Sequence, residues 1–534
     1  MCKTTKNKMK INKFLIIIPV IIWTSKVYGT SIEKMENDSI AIQKIEWEQK
    51  NDLKAETDTI TGNITDTTQV IECNYAARIK NTEHLDSFFY KLHLLEERKR
   101  NKINVVHIGD SHIQADFLTN AIRQPLQEKF GNGGYGFTFP YSLAKGSSGT
   151  GFFRFISNTI WQSCRNNQPF KCHQDAEIGL CGYGFTSMAK QFVISLEVND
   201  PVYYFNTIKV ITPYDSSCFR LASAQGYPVI QSVQSSVKLH KIKSGESLSV
   251  IAAKYNVSIA AIKKENNMKS NTIYAGKTLR IPIKTQQTQV DLSLFQPIEW
   301  QKDEQFCATY HQEVPASRIF LFPNGNPNIF NLNGLVLLND NPGLIYHSIG
   351  TVGSKVSDFN ATPLFFQQLP ILTPDLIVLS FGTNDSYGKI SAENFIQEIQ
   401  TLLNNIEAVC PDVPVLVMTP PTSLLPRKAL NTYVSDYSRY LMQQQDYALW
   451  DLYTFTGGMM GPRKPSSIFI SSDNVHYTAQ GYTNQGNAFA DDLLYEYEHY
   501  KQKNDSINGG KTEIVPLDLL GKEIKENTNA PDNK

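Results

Sequence analysis

Short, nearly continuous apolar runs recur along the chain at Ile103 to Ile108, Leu376 to Leu379 and Val413 to Met418. Runs of this length without polar alternation suit strands of a parallel sheet buried on both faces. Between the last two, Phe395, Ile396, Ile399, Leu402, Leu403 and Ile406 follow a helical period behind Ser391, which can cap that helix. Thr478 opens another helix, with Tyr482, Gly486, Phe489, Leu493 and Tyr497 along one stripe. Alternating strands and helices predict an α/β domain with a doubly wound parallel sheet and right-handed crossovers. Its chemistry belongs at the carboxyl ends of the strands.

The pattern changes over 151–237 and 285–339. Phe192 to Val198, Thr207 to Ile211, Arg318 to Phe322 and Leu335 to Leu338 read as strands, parted by Asn, Asp, Pro and Gly turns. A β-sandwich-like insert is the simplest account. It is itself interrupted by 238–284, which reads as a β-α-α-β unit. Lys238 to Lys243 forms a strand, and Leu248, Ile251, Ala252 and Tyr255 line one helix. Ser258 caps a second helix with Ile259 and Ile262, and Thr278 to Pro282 closes the unit as a strand. Insertion is tolerated at a loop whose ends lie close together. The α/β domain is then split into 81–150 and 340–502.

At 534 residues the chain is too long for one ordinary core. Lys and Arg number 51, as do Asp and Glu, and this balance argues against a nucleic-acid partner. Five lysines before the apolar run Phe14 to Trp23, then Val27-Tyr28-Gly29, follow the plan of a signal peptide over 1–29. The run is short for a membrane helix, so no span is expected in the mature chain, an uncleaved anchor being the alternative. Cys2 precedes the run and is no lipoprotein cysteine. Export to the periplasm or cell envelope follows, with a polar linker over 30–80 and a polar, disordered tail over 503–534. Export permits disulfides. Cys164, Cys172 and Cys181 are close in sequence, but their pairing stays open. No Cys, His and carboxylate spacing points to a metal, and no cofactor is expected. His107, His112, His173 and His347 read as structural, and Asp116 as a helix cap.

Gly109-Asp110-Ser111-His112 follows the first apolar run directly. A strand ending in such a turn mounts a serine at the start of a helix, near free N–H groups. Phe381-Gly382-Thr383-Asn384-Asp385 supplies an amide donor, and Asp473-Asn474-Val475-His476 a base with its orienting acid three residues away. Taken singly, Ser111 could be a helix cap, Asn384 a turn former and His476 a surface histidine. Their joint order resembles the SGNH, or GDSL-like, hydrolase family, with Gly350-Thr351-Val352-Gly353 as its glycine block. Many relatives carry Asn where this chain has Val352. The resemblance implies Ser111 as nucleophile, His476 as general base and Asp473 as its partner. It implies an oxyanion hole of the Ser111 and Gly353 N–H groups and the Asn384 side chain.

The 238–284 unit resembles a LysM module in its opening Gly245-Glu246-Ser247-Leu248, its Ile251-Ala252 pair, its Asn266-Asn267 and its closing Gly276-Lys277-Thr278-Leu279-Arg280-Ile281-Pro282. Glu246 stands where Asp is usual. By analogy, Ser244, Gly245, Glu246, Ser247, Asn271, Thr272 and Ile273 are the candidates for contacting an N-acetylglucosamine-containing glycan, chiefly peptidoglycan or chitin. A GDSH block with a β-rich insert, together with Tyr346-His347-Ser348-Ile349-Gly350, resembles the peptidoglycan O-acetylesterases. That likeness implies removal of the 6-O-acetyl group of N-acetylmuramic acid through an acetyl-enzyme. Acetyl transfer, esterase action on another acetylated polysaccharide, and a wall-binding protein with an idle hydrolase domain stay open.

Overall fold

A computed structural model describes residues 79–507, apart from 147–148, 225, 227, 231–235, 256, 284–289 and 465–468. The expected signal peptide and nearly all of the polar linker and tail lie outside the described residues.

The apolar runs build a six-stranded sheet. Its strands are β1 (Ile79–Lys80), β2 (Lys102–Gly109), β3 (Gly343–Gly350), β4 (Leu376–Ser380), β5 (Val415–Met418) and β6 (Ala448–Trp450), in the order β1-β6-β5-β4-β2-β3. All neighbours are parallel except β1, which runs against β6. Successive side chains point to opposite faces, so each run feeds two cores. Ile103, Val105, Leu376, Val378, Leu416 and Trp450 pack with the helices Asp86–Glu96, Phe117–Phe130 and Ala479–Ile507. Val106, Ile108, Ile377, Leu379, Val417 and Leu449 pack with the Ser391-capped helix Ala392–Val409. Each such side chain fully buried contributes roughly 1.5–3 kcal/mol, which explains why the runs do not alternate.

Two five-stranded antiparallel sheets and a small three-stranded one, which holds Gln162–Arg165, Tyr183–Ser187 and Phe330–Asn331, form the insert. One of the two larger sheets holds Phe153–Ser157, Ile194–Val198, Phe219–Ala224, Phe295–Ile298 and Arg318–Pro323. The other holds Gly136–Thr138, Phe205–Ile211, Lys302–Glu304, Cys307–Ala316 and Gly334–Leu338. Leu196, Phe219, Leu221 and Leu321 of the first share a core with Phe137, Ile208, Val210 and Leu335 of the second. The same core runs on under the parallel sheet. Gly136–Thr138 therefore belongs to the insert by pairing, although it lies before residue 151, where the turn-rich pattern begins. Three residues are too short a run to announce a strand.

The inserted β-α-α-β unit has its own core of Ile242, Leu248, Ile251, Ala252, Ile262, Leu279 and Ile281. Its end strands, Ser236–Lys241 and Thr278–Ile283, pair antiparallel. The insert strands on either side of it pair as well, Ala224 opposite Phe295. The unit thus replaces the turn of a hairpin, which is why both folds coexist in one chain.

Asp116 departs from its expected role. It occupies the N-cap position of Phe117–Phe130 at φ +58°, but its side chain caps nothing. Its carboxylate instead binds fully buried Arg123 at 2.9 Å and accepts from Tyr135 Oη at 2.7 Å. A buried guanidinium requires such a partner.

Candidate active site

Register brings the site together. Gly350 and Ser380 both pair with Gly109, so β3, β2 and β4 end at one level. The segments holding Gly353, Ser111 and Asn384 leave the sheet side by side. Close approach makes the glycines necessary. A Cβ on Gly350 would stand 2.2 Å from the Gln114 nitrogen, inside the turn Ser111–Gln114 that carries the serine. Gly350→Ala is expected to push that turn away, lowering turnover about a hundredfold and stability by about 1–3 kcal/mol. Parallel assays of activity and thermal melting check this; wild-type values in both would contradict it.

Ser111, His476 and Asp473 form a continuous relay. His476 Nε2 lies 2.9 Å from Ser111 Oγ, and Nδ1 lies 2.7 Å from Asp473 Oδ2. Asp473 Oδ1 accepts from Ser471 Oγ at 2.7 Å and from the Val475 and His476 N–H groups at 2.9 Å. Partial burial would raise this carboxyl, but those bonds and the imidazole together hold it well below the usual carboxylate range. An ionised Asp473 fixes the proton on Nδ1 and leaves Nε2 to accept from Ser111.

The Ser111 and Gly353 N–H groups have no acceptor among the described residues. Asn384 is more committed than its motif indicates. Its Nδ2 donates to Asp110 Oδ2 and to the Ser354 carbonyl, both at 3.1 Å. An oxyanion would therefore share a hydrogen already in use. Asp110, which has no role in the sequence reading, also accepts from the His112 N–H at 3.0 Å. One carboxyl thus positions both the serine's turn and the amide donor. Burial pushes it up to about 7, against the lowering pull of the His112 N–H, His476 and Asn384.

Asp385, beside Asn384, is also pushed up to about 7 by burial. Its Oδ2 is buried with no partner among the described residues. The folded chain holds this proton between the ordinary carboxylate range and pH 7, where the unfolded chain has released it. That stability is complete at low pH and lost as pH rises through about 7. Asp385→Asn should therefore melt higher than the parent at pH 8, by about 1–3 kcal/mol, with the difference shrinking toward pH 4. An equal difference at both pH values would contradict this.

The remaining buried histidines match their structural reading. Burial holds His107, His112 and His347 neutral, each down to about 3. His112 bridges Tyr482 Oη at 2.8 Å and Thr383 Oγ1 at 3.2 Å, tying the last helix to the Asn384 segment.

The insert completes the site. Cys164 pairs with Cys172, and Cys181 is a free buried thiol. From the loop this disulfide closes, Arg165 Nη1 and Asn167 Nδ2 donate to the Val352 carbonyl at 3.0 and 3.1 Å. Gln114 Oε1 accepts from the Val352 N–H at 3.0 Å and from Tyr183 Oη at 2.8 Å. The glycine block is thus held from both sides by residues that no local motif could have disclosed. A cleft of about 550 Å³ opens over Ser111 and His476, walled by Gln114, Arg165, Tyr183 and Val352. Among the described residues no cluster of His, Cys, Asp and Glu could hold a metal ion.

The LysM candidates divide. The Glu246 carboxylate accepts from the Lys243 N–H at 2.7 Å and pairs with His240 Nε2 at 2.8 Å. Ile273 packs against the module's core. Both are therefore engaged within the module. Ser244, Gly245, Ser247, Asn271 and Thr272 are exposed, on two loops leaving the Lys241–Thr278 end of the strand pair.

A strand-end serine, an imidazole and a carboxylate in relay on a doubly wound sheet define the geometry of a serine hydrolase. Residues 337–483 match the GDSL-like lipase/acylhydrolase family, and residues 240–282 match the LysM domain. The chain carries both domains. The acylhydrolase match contains Gly353, Asn384, Asp473 and His476 but not Ser111, which β2 returns to the site by pairing between β3 and β4. A solved peptidoglycan O-acetylesterase shares the fold, with a TM-score of 0.50 and 17% identity over 77% of this chain and 96% of that one. A lipase/acylhydrolase from Enterococcus faecalis aligns at 20% identity over 28% of this chain and 76% of its own, with a TM-score of 0.23. N-acetylmuramoyl-L-alanine amidase sle1 of Staphylococcus saprophyticus is 48% identical over 42 residues, 8% of this chain and 13% of the amidase.

Proposed function

We propose that this protein is an exported serine esterase that removes O-acetyl groups from peptidoglycan. The observation that carries the proposal is the Asp473–His476–Ser111 relay opening into a cleft. His476 takes the Ser111 proton as Oγ attacks the acetyl carbonyl. The oxyanion rests on the Ser111 and Gly353 N–H groups, with Asn384 sharing its amide. His476 then protonates the departing sugar oxygen, and water releases acetate from the acetyl-enzyme. The LysM domain supports a wall polymer as the place of action, by binding its N-acetylglucosamine. The likeness to a peptidoglycan O-acetylesterase supports acetylated peptidoglycan as the substrate, and the ester we assign is that on the 6-hydroxyl of N-acetylmuramic acid. The test compares acetate release from O-acetylated peptidoglycan and from acetylated xylan. Preferential release from peptidoglycan is expected; preference for xylan would assign another acetylated polysaccharide.

A further inference from the structure

The charged side chains lining the cleft over Ser111 are of one sign. Lys145, Arg165 and Lys171 line it, and no carboxylate does among the described residues. The whole chain has no excess of cations, so this is a local arrangement. By contrast, the groove beside His84 is lined by Glu407, Asp412 and Asp446. What holds Arg165 and Lys171 is neutral. Arg165 donates to the Val352 carbonyl, and Lys171 Nζ donates to Gln168 Oε1 at 2.6 Å. Arg165 and Lys171 sit on the loop closed by Cys164 and Cys172, which limits how far they can move away. An esterase for a neutral ester needs no such lining, because the acetyl group carries no charge.

We infer that this cleft takes an anionic leaving group: Lys145, Arg165 and Lys171 form a subsite for a carboxylate on the alcohol side of the ester. The inference rests on the esterase reading and narrows it to acetylated sugars bearing a carboxylate. In peptidoglycan two sources share that chemistry, the stem peptide's carboxylates and the lactyl carboxylate that an amidase exposes. The cations draw the anion in and orient the ester, and part of their effect is screened by salt. Arg165 additionally positions the glycine block, so the lysines test the charge more cleanly.

The full chain and its Lys145→Gln/Lys171→Gln form are assayed on 4-acetoxybenzoate and 4-acetoxybenzamide, which differ by one negative charge. The parent should favour the carboxylate, and the double variant should lower the kcat/KM ratio of the two roughly fivefold to tenfold, mainly through KM. The preference should shrink at high salt. A ratio unchanged by the substitutions would overturn the subsite. Acetate release from O-acetylated strands, intact or stripped by an amidase, separates the sources: a variant defect on intact strands alone assigns the stem peptide, and one on stripped strands alone assigns the lactyl group. No release from either strand by the parent, with the lysine-dependent preference kept, would sink the peptidoglycan reading and leave the subsite standing. Equal defects on both aryl esters would overturn the subsite and leave the esterase reading intact.

Discussion

Ser111→Ala is expected to lower acetate release by about three orders of magnitude or more with the fold retained. The side chain emerges on the first residue of the turn Ser111–Gln114, and among the described residues its polar partner is His476 Nε2. Removing Oγ therefore breaks no buried network and leaves no buried group unpaired. Asp110 continues to accept from the His112 N–H and from Asn384, so the turn and the amide keep their places. The free N–H groups would still bind an acetyl carbonyl, which sets the residual rate. Thermal melting should move by less than about 0.5 kcal/mol in equivalent stability. A variant that is both folded and fully active would end the nucleophile assignment.

Asp473→Asn is the second large effect, and it acts through a tautomer. The carboxylate makes a bond to the ring and, through its other oxygen, to three donors of its own loop. In the asparagine variant the amide oxygen remains where those donors meet, so the NH₂ faces His476 Nδ1. Nδ1 must then accept, Nε2 carries the proton, and Ser111 has no base. Turnover should fall by about three to four orders of magnitude, with a far smaller change in KM. Because Asp473 is held below the usual carboxylate range, the parent's rate should not fall with the protonation of this group at mildly acid pH. Raising pH should partly rescue the variant, since hydroxide can replace the missing base. A variant within tenfold of the parent would contradict the relay.

The sheet was legible in the sequence because a strand buried on both faces must be apolar at successive positions, as Leu376 to Leu379 is. The helix behind Ser391 was legible because its period and its cap agree. The LysM unit could be read because fixed positions in it have fixed jobs, such as Ile251 and Ile281 in its core. The four site segments could be named but not joined. Three of them meet because Gly350 and Ser380 pair with Gly109, which is a property of register rather than of any one segment. The commitment of Asn384 to Asp110 and Ser354 was illegible for the same reason. The pairing of Cys164 with Cys172 and not with Cys181 was illegible too, because both partners lie close to Cys164 in sequence. The holds of Arg165 and Asn167 on Val352 reach across 187 and 185 residues of sequence. Asp116 shows a local rule overruled: a helix start suggested a cap, and a buried arginine claimed the carboxylate.

The most direct measurement is acetate released from O-acetylated peptidoglycan by the full chain and by its Ser111→Ala form, side by side. Release by the parent with almost none from the variant is the expected result. Equal release by both would contradict Ser111 as the nucleophile. Release by neither, with the protein still sedimenting with the wall polymer, would contradict the esterase and leave a binding protein in its place.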